Sequence, residues 1–198
     1  NRLDIPQLWL DENQLDAHTN YSDQSFGLRS EFLSTKFYHF VFMLGCDFDL
    51  SQTKVDLLNQ QYGKPQQMSL GSYIQTKYLI NQSINLNFGI RYDYRSINPE
   101  NNFATKIYTS LSPKLNLTYK TKLNNLFNIN ISKGFRAPSI SELYLKHITT
   151  YGLIVSGNPK LQPEYVYSYE INYKNHQNNF IYWDISIFQN RYHNMIDF

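Results

Sequence analysis

The chain has 198 residues, and its 18 Lys and Arg against 16 Asp and Glu leave a formal charge of +2. The basic residues are spread along the chain, which excludes the concentrated basic patch that nucleic-acid binding requires. Mean hydropathy is −0.51, and no run of about 18 apolar residues exists, so a transmembrane helix is excluded. A membrane barrel is not, because its strands turn only every second side chain to lipid.

Residues 1–24 read as a connection, followed by weak alternation over 25–34. After the short link Ser34-Thr35-Lys36 a second weak strand runs through 37–49. It contains the single Cys46, which has no disulfide partner and no zinc-ligand companions and reads as a packed or lipid-facing thiol. A long link covers 50–66, a strand 67–80, and a short link Asn81-Gln82-Ser83. The clearest pattern comes next. From Ile84 to Tyr94 every even position is apolar or aromatic, and every odd one is polar, charged or Gly. A helix would smear that set around its axis, and the length suits a tilted spanning strand.

Beyond the link 96–106, Leu111, Leu115, Leu117 and Tyr119 share one face, with Ser112, Lys114, Asn116 and Thr118 on the other. Lys120 to Asn125 is short. Phe127, Ile129 and Ile131 then alternate with Asn128, Asn130 and Ser132. A very long link, 135–163, leads to Tyr165, Tyr167, Tyr169, Ile171 and Tyr173, which alternate with Glu164, Val166, Ser168, Glu170 and Asn172. Asn175 to Asn178 is short, and Ile181, Trp183, Ile185 and Ile187 alternate with Tyr182, Asp184, Ser186 and Phe188. The reading gives eight strands.

Alternating short and long connections are the mark of an up-and-down antiparallel transmembrane barrel, with tight periplasmic turns and long outer loops. This places 1–24, 50–66, 96–106 and 135–163 outside. A soluble sandwich or lipocalin-like barrel also alternates. Two features favour the membrane: strands longer than the usual five or six residues, and Tyr near strand ends, as an interfacial girdle requires. The five His show no metal-ligand spacing, and no Gly-x-Ser-x-Gly elbow occurs, so no enzyme, metal or cofactor is expected.

Four segments carry a family resemblance: Ser112-Pro113-Lys114-Leu115, Ser132-Lys133-Gly134-Phe135-Arg136-Ala137-Pro138-Ser139, Glu142-Leu143-Tyr144, and Gly157-Asn158-Pro159-Lys160-Leu161-Gln162-Pro163-Glu164. Their order and spacing resemble the C-terminal half of TonB-dependent receptor barrels. Met68 to Tyr94 is similar in style to the family's hairpin ending in Gly-x-Arg-Tyr-Asp. The resemblance implies a barrel of about 22 strands around a plug domain that contacts TonB, in the outer membrane of a Gram-negative bacterium. It implies import of a scarce nutrient such as an iron–siderophore or cobalamin. Eight strands are then about a third of the barrel. No signal peptide is present, so the chain reads as processed or as a partial record of 1–198 with plug and remaining strands missing. A complete eight-stranded structural or adhesive barrel is the alternative.

In their own right, Pro138 ends strand pairing, Pro159 and Pro163 stiffen the return leg, and Gly157-Asn158-Pro159 is turn chemistry. Glu142 is placed to pair with Arg136 or Lys146. The residues Gly134, Phe135, Arg136, Ala137, Pro138, Asn158, Pro159, Leu161, Pro163 and Glu164 therefore read as setting loop geometry. Arg136, Tyr144, His147 and Tyr151 are the candidates for ligand contact, by charge-assisted bonding and stacking. Haem receptors of the family have a His between similar boxes, which makes haem a minority option through His147.

Overall fold

The computed structural model describes residues 5–6, 18–19, 21–35, 37–55, 62–100, 103–123, 125–148, 154–175 and 182–196. In chain order the strands are β1 (Ile5–Pro6), β2 (His18–Thr19), β3 (Tyr21–Leu33), β4 (Phe40–Val55), β5 (Gln66–Leu79), β6 (Ile84–Asn98), β7 (Lys106–Lys120) and β8 (Leu126–Arg136). A short helix, α1 (Ile140–Tyr144), follows. Then come β9 (Lys146–Ile148), β10 (Ile154–Ser156), β11 (Glu164–Asn175) and β12 (Trp183–His193). β3 to β8, β11 and β12 form one antiparallel sheet in that order, while β1–β2 and β9–β10 are separate two-stranded pairs. The eight expected strands are the eight of this sheet.

The register explains why alternation was so clear. Direct cross-strand partners put Phe88, Leu115, Ile131 and Tyr169 in one row, and Leu86, Leu117, Ile129, Ile171 and Ile187 in the next. All lie on the same face, because side chains alternate along every strand. This face stays open: Phe88 is 47%, Ile171 56% and Ile187 73% exposed. A soluble sandwich would bury such rows against a second layer. A contiguous apolar sheet face that no described residue covers suits lipid. Cys46 lies on this face, its neighbours being Ser30 and Ser72, and it is exposed. The odd residues of β6, from Asn85 to Arg95, share the opposite, polar face.

Short connections collect at one end of the sheet and long ones at the other. At the short end, Phe37 and Phe40 exchange backbone hydrogen bonds of 2.9 Å, and Tyr38 takes φ 53° to close the turn. The second strand therefore begins at Phe40 rather than at 37. At the long end the strands outrun their sequence pattern: β4 reaches Val55 and β6 reaches Asn98. Pairing there rests on backbone hydrogen bonds, which need no apolar alternation once a strand clears the membrane. The buried apolar cluster also lies at this end and comprises Ile97, Tyr108, Ala137, Ile140, Leu143 and Tyr144. Among the described residues β3 and β12 pair on one side only.

Candidate functional site

The link between β8 and β11 is built around one short helix. Ser139 caps α1: its Oγ accepts from Glu142 N–H at 3.2 Å, and Glu142 Oε2 accepts from Ser139 N–H at 2.7 Å. This reciprocal capping box satisfies two amides that a helix start leaves open. Arg136, the last residue of β8, donates through Nη1 to Glu142 Oε1 at 2.8 Å and through Nε to Glu164 Oε2 at 2.7 Å. One guanidinium thus ties together the end of a strand, a helix and the start of the next strand. Glu164 also accepts from the Ile196 amide. Burial acts to raise the Glu142 carboxyl, but the Ser139 amide and the Arg136 guanidinium outweigh it and hold it below its ordinary value.

The second box returns over this helix. Gly157 N–H donates to Leu145 O at 2.7 Å, and Asn158 N–H to Glu142 O at 2.8 Å. A Cβ on Gly157 would stand 2.7 Å from the backbone of Leu143 and Tyr144, so only glycine permits this approach. Asn158 Oδ1 accepts from Lys160 N–H at 2.9 Å, and Leu161 packs against the buried cluster.

Three long connections meet there. The Tyr62 ring, from the first, lies 4.4 Å from that of Tyr144 and 4.8 Å from that of Phe103. Glu100 strengthens the junction, since its Oε2 accepts from Lys64 N–H and its N–H donates to Tyr62 O, both at 2.9 Å. Tyr144 is 2% exposed, its hydroxyl has no hydrogen-bond partner among the described residues, and burial pushes that hydroxyl up to about 12.

Of the four ligand candidates, Arg136 is engaged by two carboxylates and Tyr144 is buried in the aromatic junction. The backbone of His147 pairs with Val155 in the β9–β10 hairpin. Its side chain and the whole of Tyr151 lie outside the described residues. Within the first box, Pro138 is fully buried and Ala137 is 3% exposed, while the Phe135 ring lies 5.8 Å from that of Tyr165. Glu142 pairs with Arg136, the first of its two expected partners. Sequence reading missed α1, although Ser139-x-x-Glu142 ahead of Leu143 is a capping-box signal.

Below this rim, the polar face carries two kinds of side-chain network. Between β3 and β6 it is ionic. Asp47 accepts from Arg29 at 2.7 Å and from Arg91 at 2.8 Å, and Asp93 accepts from Arg91 at 2.7 Å. Tyr73 lies across Gly45 to donate to Glu31, and Arg91 lies across Gly71. Toward the short-turn end it is an amide ladder. Asn87 donates to Asn116 at 2.7 Å, Asn116 to Asn130 at 2.6 Å, and Asn130 to Glu170 at 3.2 Å. Among the described residues no group of three or more His, Cys, Asp or Glu is placed to hold a metal ion.

A sheet with one open apolar face, one polar face with cross-strand ionic networks, and loops joined at one end is the wall of an up-and-down transmembrane β-barrel. Residues 3–198 match the family model described as TonB dependent receptor-like, beta-barrel. The chain belongs to that family, whose members are transport receptors. Solved structures agree on the fold. The hemophore receptor HasR of Serratia marcescens, in complex with its hemophore HasA and heme, superposes with TM-score 0.69 at 15% identity over 86% of this chain and 33% of its own. The FrpB iron transporter from Neisseria meningitidis gives 0.68 at 13% over 88% and 28%. The siderophore receptor PirA from Pseudomonas aeruginosa gives 0.69 at 15% over 88% and 33%. The chain therefore spans about a third of the length of these structures. No curated protein sequence matches it.

Proposed function

We propose that this chain is part of an outer-membrane receptor of a Gram-negative bacterium that binds and imports a scarce nutrient, such as an iron–siderophore or cobalamin. Energy arrives through TonB, acting on a plug domain that is not part of this chain. The observation that carries the reading is the junction of Tyr62, Phe103 and Tyr144 above a polar inner face, because it joins three long connections into one rim. In this reading 50–66, 96–106 and 135–163 face outward and hold the ligand. Arg136 and Tyr144 then form the base of the ligand loop, with His147 and Tyr151 beyond it. The open edges of β3 and β12 continue into further barrel strands, since an unpaired edge in lipid leaves backbone groups unsatisfied.

The test is uptake of ferric siderophores and cobalamin by a strain lacking the gene, with and without TonB. Loss of uptake of one of them on deletion, restored by the gene only when TonB is present, is the expected result. Full uptake without the gene, or restoration that ignores TonB, would sink the reading. Haem is the second reading, through the position of His147 between the two boxes. A His147→Ala receptor that still supports growth on haem as sole iron source removes it.

A further inference from the structure

The sheet face turned to lipid carries formal charge of one sign. Every Asp and Glu of the eight sheet strands lies on the opposite, polar face, because the shared register keeps all of them in step with Asp47 and Asp93. The charged side chains on the lipid face of these strands are Lys54, Lys133 and Arg191, and all three lie toward the long connections. Two of them converge. Lys133 and Arg191 flank Tyr167 as its direct cross-strand partners. The His193 ring stands edge-on to that of Tyr167 at 5.6 Å. The Lys133 ammonium lies 4.5 Å from the centre of the Tyr165 ring. Tyr165 pairs with Phe135, nearer the long connections, so the lysine leans outward along the wall.

Depth and sign together point to a partner. Trp183 opens β12 on this same face. From 183 to 191 the strand rises about 26 Å, or about 19 Å along the membrane normal at a tilt near 45°. The apolar band of a barrel is about 25 Å tall. With Trp183 at the short-turn boundary, Arg191 lies just inside the opposite one, within reach of the head groups for a long cationic side chain. Carboxylates are the less costly charge on a barrel's lipid face, yet this face has only cations. A layer of anionic head groups selects that sign, since it attracts cations and repels carboxylates. Both neighbours of Lys133's strand, β7 and β11, are present in the sheet. A further strand beside β12 would extend the row past Arg191 without entering the space between the two cations. Their backbones stand about 10 Å apart across two strand spacings, a span that both side chains can close around one phosphate.

We propose that Lys133 and Arg191, with His193 beside them, bind a phosphate of an anionic lipid in the leaflet on the side of the long connections. The ammonium and the guanidinium fork donate to the phosphate oxygens, and the Tyr165 and Tyr167 rings sit at head-group level beneath them. The inference needs only the membrane placement of this sheet and goes beyond the import reading.

In the experiment, purified full-length receptor in detergent, stripped of native lipid, is titrated with lipid A carrying both its phosphates and with the same lipid dephosphorylated. Native mass spectrometry counts the bound lipid. The phosphorylated lipid is expected to bind at least tenfold more tightly. Lys133→Gln combined with Arg191→Gln should abolish that preference. Lys133→Arg combined with Arg191→Lys should keep binding within threefold of the wild type, because the charges remain. Lys114→Gln, on the polar face, should leave lipid binding unchanged. Each variant is first checked for native folding by its gel mobility before and after heating. Equal binding of the two lipids by the wild type, or an undiminished preference in the folded Gln double variant, overturns the proposal. Displacement of the lipid by millimolar inorganic phosphate also overturns it, since that marks a site for a free anion. Nutrient-dependent growth of the wild-type strain reads the import function separately. A receptor that supports growth but shows no preference for the phosphorylated lipid loses only the lipid site.

Discussion

Arg136 and Glu164 stand 28 positions apart in the chain and 2.7 Å apart at Nε and Oε2. The same guanidinium reaches the Glu142 carboxylate, whose side chain is only 8% exposed. The two family boxes are thus the two halves of one clamp. Arg136→Ala leaves the Glu142 carboxylate without its cation and costs the loop about 2 kcal/mol, with half-exposure of the arginine keeping the loss from being larger. The barrel wall does not depend on the clamp. Limited proteolysis should therefore cut within 137–148 and 154–163 in the variant and not in the wild type, while gel mobility before and after heating stays the same. Equal protection of that loop in both proteins would refute the clamp.

Loop docking should fail at both ends of the pH scale. Glu142 is held below its ordinary value of 4.5 in the folded protein. A depressed carboxyl contributes stability that is present above the ordinary value and is lost as pH falls through the folded one. Tyr144 is the opposite case, raised from 10.0 to about 12. Its contribution is complete below 10.0 and disappears as pH climbs toward about 12. Protection from hydrogen exchange over 137–148 and 154–163, taken relative to the intrinsic rate at each pH, should be high near neutrality and lower both below pH 4 and above pH 11. A profile flat across that range would count against both assignments.

Two glycines on the polar face make room for their neighbours. A methyl at Gly45 would overlap the Tyr73 ring, and one at Gly71 would overlap the Arg91 guanidinium. The ring is rigid, whereas the guanidinium ends a flexible chain. Gly45→Ala should therefore cost more, about 1–3 kcal/mol as an overpacked site. Adding Tyr73→Ala to Gly45→Ala should recover part of that loss, because the two residues are in contact and their effects are not additive. Urea unfolding of the refolded barrel measures the wild type, Gly45→Ala, Gly71→Ala, Tyr73→Ala and the double variant, and strictly additive losses at 45 and 73 would mean the overlap is relieved elsewhere.

The strands were legible because lipid on one side and a polar interior on the other force a period of two. Ile84 to Tyr94 shows this in isolation. Strand ends were less legible, since 51–55 and 96–98 carry no alternation of apolar and polar residues: Thr53 bonds to Asp23 across the strands, and Ile97 is buried in a cluster built from several connections. The helix Ile140–Tyr144 was missed because five residues make too little periodicity to stand out in a long loop. Its capping residues Ser139 and Glu142 were the available signal. The ionic network of Arg29, Asp47, Arg91 and Asp93 was invisible because it exists only once the register is set. Glycines inside strand patterns, at 45 and 71, were its one trace in the sequence.

The assignment of faces itself is open to a direct measurement. Asn87 and Phe88 are adjacent, and cross-strand pairing sets them on opposite faces: Asn87 beside Asn116 and Phe88 beside Leu115. Asn87 bonds to Asn116 in the amide ladder, whereas Phe88 belongs to the open apolar rows. In a Cys46→Ser background, which removes the exposed native thiol, Asn87→Cys should react with a membrane-impermeant, water-soluble maleimide once the barrel interior is open to solvent. Phe88→Cys in the same bilayer should react at least tenfold more slowly, because the thiolate that attacks is disfavoured in hydrocarbon. A lipid-soluble maleimide should narrow or reverse that order. Equal rates with the water-soluble reagent would mean that both faces meet water, and the membrane reading of this sheet would fall with them.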